Sequence, residues 1–101
     1  MALVHAAPGE IVNLGAGEKT AALVKRDRFE AVRLVVVAGA TIPTHQVDGF
    51  ITLYCLEGHA VLEAGREIAL RRGDWVYLDR NARHAVRGIE DSALLLTILF
   101  D

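Results

Sequence analysis

The chain has a single cysteine, Cys55, in 101 residues, so no internal disulfide framework can hold it together. It also lacks long apolar runs. None approaches the roughly 18 uninterrupted residues of a membrane-spanning helix. Met1-Ala2-Leu3-Val4-His5 has neither a basic n-region nor a long apolar h-region, so no secretory signal is expected. A cytoplasmic protein is the expectation. Blocks of like charge are missing too, and the net charge is −2. Neither a nucleic-acid backbone nor an anionic membrane is therefore an expected partner.

What is present is apolar surface and turn punctuation. Hydrophobic residues make up 52% and charged residues 24%, which excludes intrinsic disorder. The length suits one domain, 1–101, with one core. Turn signals fall at Pro8-Gly9, Gly15-Ala-Gly17, Gly39, Asp48-Gly49, Glu57-Gly58, Ala64-Gly65, Arg72-Gly73, Asp79-Arg-Asn81 and Gly88 to Ser92. Between them lie strand-length segments: Phe29 to Val37, Ile51 to Leu56, Ala60 to Glu63, Glu67 to Leu70, Trp75 to Leu78, His84 to Arg87 and Ala93 to Phe100. Leu94 to Phe100 is nearly all apolar and is expected to be buried on both faces. Ala21 to Val24 fits a strand and an amphipathic turn, within Glu18 to Arg26, equally well. Many short strands with turns between them predict an all-β sandwich or barrel.

Two spaced patterns then resemble the cupin superfamily. The stretch 39–58, from Gly39-Ala-Thr-Ile-Pro-Thr-His45 to Leu56-Glu57-Gly58, is similar to its first motif: Gly, five residues, His-x-His, three or four residues, Glu, six residues, Gly. The stretch 73–88, from Gly73-Asp74 through Asp79-Arg-Asn81-Ala-Arg-His84 to Gly88, is similar to the second: Gly, five residues, Pro-x-Gly, two residues, His, three residues, Asn. The resemblance implies a double-stranded β-helix, the jelly-roll barrel of small bacterial cupins, around a central pocket. It implies metal-ligand positions at His45 and His84. The other two ligand positions hold Val47 and Ile51, and the second motif's Pro, Gly and Asn are Asp79, Asn81 and Gly88.

Strand parity extends this reading. If His45 faces the lumen, then Val47, Ile51, Leu53 and Cys55 are expected to share it with His84. Two histidines fall one short of a three-ligand zinc or non-haem iron site. Asp48, if a bulge turns it inward, or Cys55 is a candidate third ligand. Tyr54, Gln46 and Asp79 are weaker ones. Without metal, His45 and His84 remain candidates for acid–base work near neutral pH.

Other side chains invite blander readings. Cys55 reads as a small buried hydrophobe. Trp75, Tyr77 and Tyr54 read as core or interface packing. Arg83 and Arg87 face away from the pocket by parity, and Arg33 reads as solvent-exposed or, if buried, in need of a partner. His5 and His59 carry no expected role. Three functions stay open. One is an apolar small-molecule pocket without the usual metal. The second is a metal-dependent dioxygenase or isomerase using zinc, iron, manganese or nickel. The third is a ligand sensor acting through a partner protein. A homodimer is expected, because small barrels leave sheet edges to cover and the segment 1–25 is apolar enough to pack on a neighbour.

Overall fold

In the computed structural model, residues 5–16 and 19–100 are described. The readings of Met1 to Val4, and of the parts of Gly15-Ala-Gly17 and Glu18 to Arg26 that touch residues 17 and 18, lie outside them. The β-branched and Leu-rich segments form nine strands: β1 (Ala21–Lys25), β2 (Phe29–Val36), β3 (Thr41–His45), β4 (Phe50–Glu57), β5 (His59–Glu63), β6 (Glu67–Arg71), β7 (Trp75–Leu78), β8 (His84–Gly88) and β9 (Ser92–Leu99). Among the described residues a 3-10 turn, Leu14–Ala16, precedes them. The segment left open between strand and helix is thus a strand, β1, held in antiparallel register by β2. Among the described residues no helix is long and apolar enough to cross a membrane.

The strands form two antiparallel sheets, ordered β1-β2-β9-β4-β7 and β3-β8-β5-β6. They pack face to face as a jelly-roll barrel. β9 lies at the centre of the larger sheet. It pairs with β2 without a break, from Phe29↔Leu99 to Val36↔Ser92, and with β4 on its other side. The inward residues of both sheets make the core: Val36, Ile51, Leu53, Cys55, Ala60, Leu62, Leu70, Val86, Leu94 and Ile98. Full burial of each large aliphatic chain contributes about 1.5–3 kcal/mol.

Local chemistry sets the crossings. Gly58 is where the chain leaves the larger sheet for the smaller one, at φ +89°, and any Cβ there would collide with the Asp91 carbonyl oxygen and with Ser92. Only glycine meets both demands. Asn81 adopts φ 61°, the left-handed conformation asparagine tolerates best after glycine. Its backbone amide donates to the Val47 carbonyl at 2.9 Å, tying the loop before β8 to the loop after β3. β3 does not stand out as a strand in the sequence because it is short and Pro43 interrupts it. Proline is tolerated there because β3 is an edge strand.

One expectation is only half met. Leu94, Leu96 and Ile98 point inward and pack on the core, but the outward Ala93, Leu95 and Thr97 are half-buried and Leu99 is exposed. The packing read for Trp75 and Tyr77 also differs within this one chain. They are 60% and 56% exposed, with ring centroids 6.1 Å apart on the outer face of β7.

Candidate functional site

The two motif histidines meet across the smaller sheet. His45 ends β3, His84 begins β8, and the two are register partners. Their ring centroids lie 4.2 Å apart with the planes tilted by 57°. His84 is buried, at 3% exposure, whereas His45 is exposed at the rim. Between them opens a cavity of about 70 Å³ lined by Leu34, Ile42, His45, Leu53, His84, Val86 and Leu96.

Both rings are held the same way. His45 Nδ1 lies 3.0 Å from the Pro43 carbonyl oxygen, and His84 Nδ1 lies 2.9 Å from that of Ala82. A carbonyl only accepts, so each Nδ1 carries the proton and donates it. In the neutral ring each Nε2 is then an acceptor, and no hydrogen bond from the described residues reaches either one. Burial pushes the His84 imidazole below its ordinary value. The hydrogen bond to Ala82 opposes this, and the neighbouring His45 adds to it. His84 is therefore neutral at pH 7.

The other expected site residues are distributed differently. Leu53 lines the cavity. Val47 is half-buried against the core. Ile51 and Cys55 share the inward face of β4 with Leu53 and belong to the core, but they are not among the residues lining this cavity. Cys55 Sγ is 3.4 Å from the Glu57 carbonyl oxygen, and burial, then the charge of Asp74, pushes its thiol up. Asp48 sits in the loop between β3 and β4. Its carboxylate takes a 2.9 Å ion pair from Arg80, which also lies over the Phe50 ring, and the bonds from Arg80 and Asn81 lower its pKa. The irregularity that sequence parity demanded at Asp48 falls earlier, between Ile42 and His45. It lets two residues three apart both reach the cavity.

Of the remaining polar side chains, Arg87 pairs with Glu67 at 3.1 Å on the outer face, and Arg83 is exposed. Arg33 Nε donates to the Lys19 carbonyl at 3.2 Å. Sequence reasoning overlooked Leu34, Ile42, Val86 and Leu96. Val86 was within reach, being two residues beyond His84 and so on its face. Leu34 and Leu96 needed the β2–β9 register, and Ile42 needed the irregularity.

A metal of the kind the fold implies needs at least three protein donors. Val47 and Ile51 offer none, Asp48 is held by Arg80, and Cys55 is bonded near the far end of β4. Among the described residues no group of three or more His, Cys, Asp or Glu side chains is placed to hold an ion. The donor set does not fit a resident metal.

Comparisons place this geometry among known proteins. No curated protein sequence matches the chain. A conserved protein of unknown function from Streptococcus pyogenes superposes with TM-score 0.81 at 16% identity, over 100% of this chain and 98% of that one. A cupin superfamily protein from Desulfitobacterium hafniense gives 0.77 at 23% identity, over 81% and 76%. A Thermotoga maritima protein described as a predicted oxalate decarboxylase gives 0.75 at 21%, over 81% and 79%. These similarities concern the fold. The model of the cupin domain family matches residues 32–100, from β2 to the end of β9. The chain belongs to the cupin domain family.

Proposed function

We propose that the chain binds a small organic molecule, with an aliphatic end in the cavity and a hydrogen-bond donor at the histidine pair, without a resident metal. The observation that carries this reading is the pairing of His45 and His84 over an aliphatic cavity with both Nδ1 atoms already committed. With Nδ1 occupied on each ring, the free Nε2 atoms suit a hydroxyl, an enol or a protonated acid.

Size limits the ligand. At about 70 Å³ the cavity has the volume of about two water molecules. Drug-sized ligands occupy about 300–1,000 Å³. The cavity therefore takes a short branched group, and the rest of the ligand lies at the rim beside the exposed His45.

Calorimetric titration with 2-methylpropan-1-ol, isobutyric acid and the methyl ether of the same alcohol tests this. Binding of the alcohol or the acid, loss of it in His84→Ala, and failure of the ether are expected. Equal affinity for the ether would contradict the role of the histidines. An indifferent response to all three, together with stoichiometric metal binding, would overturn the reading.

A further inference from the structure

The inward face of the larger sheet carries one side chain that the core does not explain. Strand alternation and the unbroken β2–β9 register set the inward residues in rows. Leu34, Leu94 and Cys55 share one row. Val32, Leu96 and Leu53 share the next, and Glu30, Ile98 and Ile51 the one after, with Leu78 of β7 beside them. Leu34, Leu96 and Leu53 line the cavity under the histidines. β8 starts at His84 and ends at Gly88, where a Cβ would collide with the Val36 and Val37 carbonyl oxygens. That is the end of β2 opposite to Glu30. Glu30 therefore stands one row beyond the cavity, at the histidine end of the barrel.

Among the described residues on the inward faces of β2, β9, β4 and β7, Glu30 is the one charge. It is half-buried, and no hydrogen bond or ion pair from a described residue reaches its carboxylate. Lys25, its register partner on β1, is exposed and is not paired with it. Covering a carboxylate further costs free energy unless the covering group brings a positive charge or donors. A ligand that fills the cavity and rises past Val32 covers this one.

We infer that Glu30 is a specificity-determining residue of the histidine pocket, and that the pocket takes a branched amino alcohol. The branched carbons enter the cavity, the hydroxyl donates to a histidine Nε2 and the ammonium meets Glu30. The inference rests on the pocket reading above and narrows it. Of the donors that suit the histidines, an acid in its anionic form would set one carboxylate against another. Rows are two residues apart, roughly 7 Å, so the ammonium belongs about that far above the branched end. Two further carbons between branch and nitrogen, with the reach of the glutamate side chain, close that gap. The turn between β1 and β2 holds Arg26, Asp27 and Arg28, all exposed, so its field does not draw in a cation. The selectivity comes from contact with Glu30.

Calorimetric titration at pH 7 and low salt, with 4-amino-2-methylbutan-1-ol against 2-methylbutan-1-ol, tests this. The amino alcohol should bind about fivefold or more tightly, the worth of one partly shielded ion pair. Adding salt to about 0.5 M should shrink that preference in the wild type. Glu30→Gln should bring the ratio to about one and should raise the affinity for 2-methylbutanoate. Asp27→Asn, at the exposed turn, should keep the preference. Equal affinities in the wild type overturn the inference and leave the pocket reading standing. A preference that survives Glu30→Gln, or that Asp27→Asn removes as fully, overturns it too. If neither compound binds, the pocket reading fails and the inference fails with it.

Discussion

His45 and His84 are register partners on adjacent strands, and their rings approach to 4.2 Å between centroids. Each gives its Nδ1 proton to the carbonyl two residues before it, Pro43 for one and Ala82 for the other. The local backbone thus fixes both tautomers, and the pair faces the cavity as two acceptors.

Stability should depend on His84 in mildly acid solution. Its pKa is lowered in the folded chain from the ordinary 6.5. Below that value the unfolded chain takes up the proton first, so stability is full above about pH 6.5 and falls as pH drops. The slope from one such group is at most about 1.4 kcal/mol per pH unit. Urea unfolding at pH 7.5 and 5.5 checks it, and His84→Gln should flatten the difference. Asp48, also lowered, acts only near and below its ordinary 3.8, outside this window.

Leu53 joins the cavity to the core and is 2% exposed. Leu53→Ala should cost about 2–5 kcal/mol by denaturant unfolding and should enlarge the cavity. A larger branched alcohol should then bind better than the one that fits the wild type. A variant that loses stability without this shift in ligand size would separate Leu53 from the binding site.

Two glycines should respond differently to alanine. Gly58→Ala brings a Cβ into the Asp91 carbonyl oxygen and Ser92, on top of the positive φ, and should lower the thermal midpoint sharply. Gly65 has a similar φ, +77°, but a Cβ added there would meet nothing within 4 Å. Gly65→Ala should cost only the left-handed penalty of about 1–2 kcal/mol, and Gly65→Asn less. Differential scanning calorimetry of the three variants distinguishes the steric from the conformational contribution.

Zinc should bind weakly. With two imidazoles and no third protein donor, a one-to-one affinity weaker than about 1 µM is expected. Asp48→Asn and Cys55→Ala should leave the isotherm unchanged, because neither side chain is placed to complete a site. A loss of zinc affinity in either variant would assign it as a ligand after all.

The β segments were readable because short apolar runs and turn residues mark them independently. Trp75 to Leu78 is β7 as it stands, and β2, β4, β5, β6, β8 and β9 differ from their sequence segments by a residue or so at the ends. The histidine pair was readable through motif spacing. Much of the cavity wall was not. Ile42 reaches it only through a register irregularity, and Leu34 and Leu96 only through pairing between strands distant in sequence. Asp48 shows the limit from the other side: parity ruled it outward unless a bulge intervened, and only the approach of Arg80, 32 residues on, decides where its carboxylate goes. The outward face of β9 shows a further limit. Its apolar composition signals burial but not what does the burying.

The most direct test of the histidine site is long-range ¹H–¹⁵N correlation of the imidazole nitrogens at pH 7, with and without 2-methylpropan-1-ol. Nδ1-protonated rings in both His45 and His84, with a neutral His84 and Nε2 resonances that move on adding the alcohol, are the predicted result. An Nε2-protonated or charged His84 at that pH, or Nε2 resonances indifferent to the alcohol but shifted by stoichiometric zinc, would contradict it.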